Sequence, residues 1–205
     1  MKKEKNGIGG SDASVILNRN DWKNIVQLWE EKTGRREAED ISNKLCVIYG
    51  KEAEPLLREF FKIENPQYEV RHEENSIIRH QKYPFLFASL DGLLIDKETG
   101  EIGILEIKTT TIHKKEDYER EWKTGIKPAY YCQVLHYINI LRAEFIKVYV
   151  QFTYNKDFKT TRTYTITRQD EGVEDDIKHL EQKEIEFWNN YVVKDIKPNT
   201  QLPEI

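Results

Sequence analysis

"FASLDGLLIDKETGEIGILEIKTTT", residues Phe87–Thr111, decides the fold. Two apolar runs, Phe85–Ile95 and Ile102–Thr109, read as strands, because β-branched and aromatic residues crowd them. Between them DKETGE, residues 96–101, reads as a hairpin turn with Gly100 at positive φ. Both strands carry charge where a buried strand should not: Asp91 on the first, Glu106 and Lys108 on the second. Hairpin pairing lets Asp91 and Glu106 face each other across the sheet. Two carboxylates that close repel unless a cation lies between them. Oxygen ligands of this kind suit a hard ion, Mg²⁺ or in its place Mn²⁺. The period of two puts Glu106 and Lys108 on one face and Ile107 in the core. A metal ligand and an ammonium in one pocket suit phosphodiester cleavage: the metal polarises a phosphate and acidifies water, and the lysine steadies growing negative charge. In a sequence this rich in charge, the pattern E-x-K also arises as a surface ion pair worth about 0–1 kcal/mol. The preceding D-G and the hairpin weigh towards a site.

The flanking sequence gives the hairpin its neighbours. Residues 11–18 read as a short helix capped by Ser11 after a Gly-rich turn. Residues 23–33 read as a helix stopped at Gly34, and 42–63 as a longer one in which Pro55 begins a new turn or a kink. Tyr68–Val70 and Ser76–Arg79 read as strands, 110–127 as a charged loop, and 128–141 as a helix opened by Pro128. Phe145–Thr153 and Thr160–Thr167 read as a strand pair around a turn near Tyr154–Phe158, and Glu171–Val193 as a final amphipathic helix. This order predicts a single α/β (α+β) domain over 1–205, with a central mixed sheet flanked by helices.

Composition bounds the rest. With 205 residues, 38% of them hydrophobic, and 23 aromatics, the protein has a real core to bury. The net charge of −4 does not suggest nucleic acid, although a nuclease concentrates its acids in the site and its lysines in one channel. Cys46 and Cys132 alone build neither a zinc nor an iron–sulfur site. No secretory signal and no membrane span are apparent, so the expectation is a soluble cytoplasmic protein without a membrane partner.

D-(x)n-E-x-K is the signature of the PD-(D/E)-x-K nucleases, which share a restriction-endonuclease-like core. Within them the sequence resembles the phage-type alkaline exonucleases, the YqaJ-like viral recombinase family related to the lambda exonuclease. The resemblance covers most of the length: GIGGSDAS at 7–14, LW at 28–29, GKEAEP at 50–55, SLDG at 89–92, LEIK at 105–108, QVLHY at 133–137 and FWNNYV at 187–192. It implies a Mg²⁺-dependent deoxyribonuclease digesting linear double-stranded DNA 5′→3′ and leaving 3′ single-stranded tails for a recombinase. A homo-oligomeric, trimeric ring goes with it. Asp91, Glu106 and the Ile107 carbonyl would hold the metal, and Lys108 would orient or activate water. Glu54 matches a helix glutamate beside the metal site, or is an acid on a solvated helix face. Gln133, one stripe with Tyr137, would bond a phosphate or the site's carboxylates, or is merely solvated. Ser11 and Ser89 would hold a 5′ phosphate. The family's arginine in that pocket is absent here, and the nearby cations are Lys2, Lys3 and Lys5. Residues 113–127, with Trp122 among lysines and Arg120, read as a DNA-facing flap or as a plain solvated loop. Rival readings are a Cas4-like or structure-specific nuclease of the same superfamily, or a non-catalytic DNA-binding module.

Overall fold

The longest parallel pairing among the described residues sits at the centre of the molecule. The computed structural model describes residues 7–154 and 158–200; Lys5 and the middle of the turn expected near Tyr154–Phe158 lie outside the described residues. Strand β5 (Ile102–Ile112) pairs antiparallel with β4 (Gly92–Asp96) and parallel with β6 (Phe145–Tyr154). The short turn between β4 and β5, with Gly100 at φ 76°, permits only an antiparallel return. A parallel neighbour needs a crossover, which helices α4 (Lys115–Glu121) and α5 (Pro128–Leu141) supply. Strands β1 (Tyr68–Arg71) and β7 (Phe158–Thr167) close the two edges in the order β1-β4-β5-β6-β7. A separate pair, β2 (Ile78–Arg79) and β3 (Phe87–Ala88), is joined to the N-terminal segment by a parallel bridge, Ile8 to Leu86.

Alternation along the strands splits the core over two faces. Ile104, Ile146, Val148 and Val150 pack towards α1 (Gly10–Ile16), α2 (Ile25–Lys32), α5 and α6 (Val173–Phe187). Leu105, Ile107, Phe145 and Tyr149 pack towards Ala53, Leu57 and Phe61 of α3 (Leu45–Glu64). The sheet is mixed and flanked by helices, as the sequence predicts.

Several local expectations are corrected. The strand expected over Phe85–Ile95 is broken, with β3 and β4 in different sheets and Ser89–Asp91 between them. Helix α3 runs on through Pro55, so of the two expectations there, a new turn or a kink, the new turn is the one overturned. The cap of α1 is Gly9, not Ser11: the Gly9 amide donates to Asp12 Oδ2 at 3.0 Å, so Asp12 at the third helical position reaches back to the amide of the cap residue. Residues 110–127 are not one loop. Strand β5 reaches Ile112, α4 follows, and Trp122 is only 1% exposed, edge-on to Phe152 with ring centroids 5.2 Å apart. A buried indole cannot stack on a base, so the flap reading loses its aromatic.

Candidate active site

The site begins where β4 stops. The last β4–β5 pair is Gly92 with Leu105, so the next residues of each strand, Asp91 and Glu106, stand opposite one another. Beyond that pair the β4 ladder no longer serves β5, and Asp91 takes over by accepting the Ile107 amide on Oδ2 at 2.7 Å. The carbonyl of a strand residue leaves the same edge as its amide, so the Ile107 carbonyl faces the Asp91 side as well.

Glu106 and Lys108 alternate to the face covered by α5. Lys108 Nζ lies 2.6 Å from Glu106 Oε1 and donates to Gln133 Oε1 at 3.0 Å. Gln133 Nε2 donates to Glu106 Oε1 and to Tyr137 Oη, each at 2.9 Å. The ammonium also sits 4.9 Å from the centre of the Tyr130 ring. A cavity of about 340 Å³ opens against α3, lined among others by Glu54, Asp91, Glu106, Ile107, Lys108 and Gln133.

Burial makes these charges costly. Glu106 is 3% exposed, and its Oε2 has no hydrogen-bond partner among the described residues. Desolvation first, and then the Asp91 charge, push its carboxyl up to about 8, against the pull of Lys108. Desolvation also raises Asp91, and raises Glu54 with help from Asp91. Burial pulls the Lys108 ammonium down, and the contact with Glu106 together with the Asp91 charge outweighs it, so its pKa lies above the ordinary lysine value. An orphaned buried carboxylate oxygen, a second carboxylate opposite and a carbonyl on the same edge are a donor set that fits a hard divalent cation. Among the described residues no three Asp, Glu, His or Cys side chains form a ready cage. Mg²⁺ does not demand one, because it commonly takes one or two carboxylates and completes its shell with water and phosphate.

The structure brings Glu54, Asp91, Glu106, Ile107, Lys108, Gln133 and Tyr137 to one cavity. Ser11 and Ser89 are exposed, each three residues beyond the Ile8–Leu86 bridge that runs their segments side by side. Helix α1 packs tightly on the site helix: a Cβ on Gly10 would lie 2.5 Å from the Tyr137 ring and 2.9 Å from Gln133 Cγ. Two features escape a reading of sequence. Arg58 is buried and bonds Glu54 and the Asp91 carbonyl. His136 and Glu184 form a buried pair at 2.6 Å between α5 and α6, and the second ring nitrogen reaches the Phe87 carbonyl at 2.9 Å. The i, i+4 spacing of Glu54 and Arg58 was the available signal for the first.

The sequence pattern of the YqaJ-like viral recombinase domain matches residues 2–144. The chain belongs to that family. The match spans every element that lines the cavity, and a YqaJ-like relative agrees with it. The uncharacterized protein YqaJ of Bacillus subtilis (strain 168) is 34% identical over 189 residues, covering 92% of this chain and 54% of the relative. This YqaJ-like protein thus spans about half the length of that relative. Two solved structures share the fold. An alkaline exonuclease, LHK-Exo, from Laribacter hongkongensis superposes with a TM-score of 0.68 at 16% identity, over 95% of this chain and 92% of that one. A phage-related exonuclease from Haemophilus somnus 129PT gives 0.58 at 11% identity, over 92% and 96%.

Proposed function

We propose that the protein is a divalent-metal-dependent DNA exonuclease that hydrolyses phosphodiester bonds of linear duplex DNA 5′→3′ and leaves 3′ tails for a recombinase. The observation that carries this reading is the convergence of Asp91, Glu106, Ile107 and Lys108 on one cavity, with a buried carboxylate oxygen left without a partner among the described residues. Family membership and the exonuclease folds above support it, as does the complex of LHK-Exo with dAMP, a nucleotide.

Asp91, Glu106 and the Ile107 carbonyl would hold Mg²⁺, or Mn²⁺ in its place, which when bound supplies Lewis acidity at a phosphate oxygen and a more acidic water. The protein's own groups do the rest. Lys108, 2.6 Å from Glu106, places an ammonium where negative charge grows on the phosphate. Gln133 fixes that ammonium and the Glu106 carboxylate in one hydrogen-bonded unit, and Tyr137 holds Gln133 from the far side. Glu54 adds a third carboxylate to the cavity wall. Ser11, Ser89 and Lys5 are assigned to the 5′ phosphate. One domain over 1–205, action in the cytoplasm of a bacterial host, a trimeric ring and a strand-annealing partner complete the proposal.

The test is digestion of linear duplex DNA with Mg²⁺ and with EDTA, alongside Asp91→Asn and Lys108→Ala. Expected is Mg²⁺-dependent release of nucleotides, lost in Asp91→Asn and reduced about 10²–10³-fold in Lys108→Ala. Degradation in EDTA rejects the metal dependence, and none by the unaltered protein with Mg²⁺ rejects the hydrolase. Faster digestion of 5′-phosphorylated than of 5′-hydroxyl ends is expected if Ser11 and Ser89 hold the terminal phosphate.

A further inference from the structure

Among the described residues Arg58 is the one arginine that is buried, at 8% exposed, and it sits against the site from behind. A buried guanidinium needs partners for its donors. Here they are both site groups: Nε donates to the Asp91 carbonyl at 2.6 Å, and Nη2 donates to Glu54 Oε1. Glu54 lies one turn earlier on the same helix, so the fork spans from α3 to the end of β4. The apolar contacts of Ala53, Leu57 and Phe61 fix how close α3 lies to the sheet. They have no directional preference, and they do not aim a carboxylate. The planar fork does, because its donors leave at fixed angles.

Resting on the metal-dependent reading above, we propose that Arg58 is the positioning residue of the metal site. It holds the Asp91 peptide so that the side chain meets the Ile107 amide and the cavity, and it turns Glu54 towards the same volume. Its charge also offsets one of the three carboxylates of the cavity wall, which lets Glu54, Asp91 and Glu106 stand close before a cation arrives. Lysine at this position keeps the charge but not the fork.

The test is Mn²⁺ binding by calorimetry in the absence of DNA, for the unaltered protein, Arg58→Lys and Arg58→Gln. Partners one shell behind a metal ligand are worth about 10–100-fold in affinity. Expected is a loss of about tenfold in Arg58→Lys and about a hundredfold in Arg58→Gln. Duplex DNA affinity in EDTA should stay unchanged, because the guanidinium faces the site acids and not the substrate. The loss from Arg58→Gln should shrink when Glu54→Gln is already present, because the two act as one unit. Arg58→Lys retains the buried charge and decides the matter if Arg58→Gln does not fold. Unchanged Mn²⁺ affinity in Arg58→Lys, or weaker DNA binding in EDTA with Mn²⁺ affinity intact, overturns the assignment. Failure of the unaltered protein to bind Mn²⁺ would instead overturn the metal site itself.

Discussion

Glu106 combines full burial, a neighbouring acid and an ammonium, and its titration should be measurable as stability. Its carboxyl sits at about 8 in the folded protein, against about 4.3 in an unfolded one. Between those values the folded state binds the extra proton, so this group's contribution falls as pH rises from about 4 to 8. A divalent cation in the cavity would remove the penalty. Thermal unfolding with and without Mg²⁺ should therefore show a larger metal-induced rise near pH 8.5 than near pH 6, and Glu106→Gln should abolish the difference. Gln133 belongs to the same scale. It satisfies Lys108, Glu106 and Tyr137 together, so Gln133→Leu should cut turnover about 10–100-fold while DNA affinity holds. Asp91, Glu106 and Lys108 were legible because charge stands out in an apolar strand. Arg58 was not, because arginine on a polar helix is ordinarily solvated.

The elements that carry these side chains are held by contacts with their own signatures. Helix α5 is pinned by His136, whose two ring nitrogens meet only acceptors, Glu184 and the Phe87 carbonyl. That pairing demands the doubly protonated ring. Burial alone would lower its pKa, and the Glu184 carboxylate outweighs burial and raises it. The stabilisation is thus complete below about pH 6.5 and is lost as pH climbs through the raised value. Unlike the Glu106 effect, this loss should persist in Mg²⁺. Glu184→Gln should cost about 3–5 kcal/mol in urea unfolding, as expected for breaking a buried pair. Gly10 supplies the other contact. Gly10→Ala pushes a methyl into the Tyr137 ring and should cost about 1–3 kcal/mol and slow digestion together, because Gln133 moves with Tyr137. Periodicity revealed α5 and its stripe, but no local pattern tells a histidine that its partner lies 48 residues away.

For the whole molecule, the hairpin and the alternation of sheet and helix were readable, since both rest on short-range rules. The breaks were not. Ser89–Asp91 leaves the sheet where the Asp91 side chain takes the place of the ladder in accepting the Ile107 amide, and Trp122 is buried because β6 and β7 offer it Phe152 and Tyr164. Trp122→Ala should therefore destabilise the fold by about 3–5 kcal/mol and leave DNA affinity untouched, which a flap residue would not do. The two core faces, meanwhile, hold β5 from both sides, so the charged segment is anchored by buried apolar residues. The early end of β4 has a practical outcome. A proposed metal ligand that doubles as a ladder's last acceptor sets which inert protein is worth making. Asparagine at 91 still offers an oxygen to the amide of residue 107 and drops only the charge, whereas alanine orphans that amide at about 1–3 kcal/mol. Snapshots of uncut substrate should be sought with the carboxamide, in crystals of a variant whose sheet still closes properly at that corner.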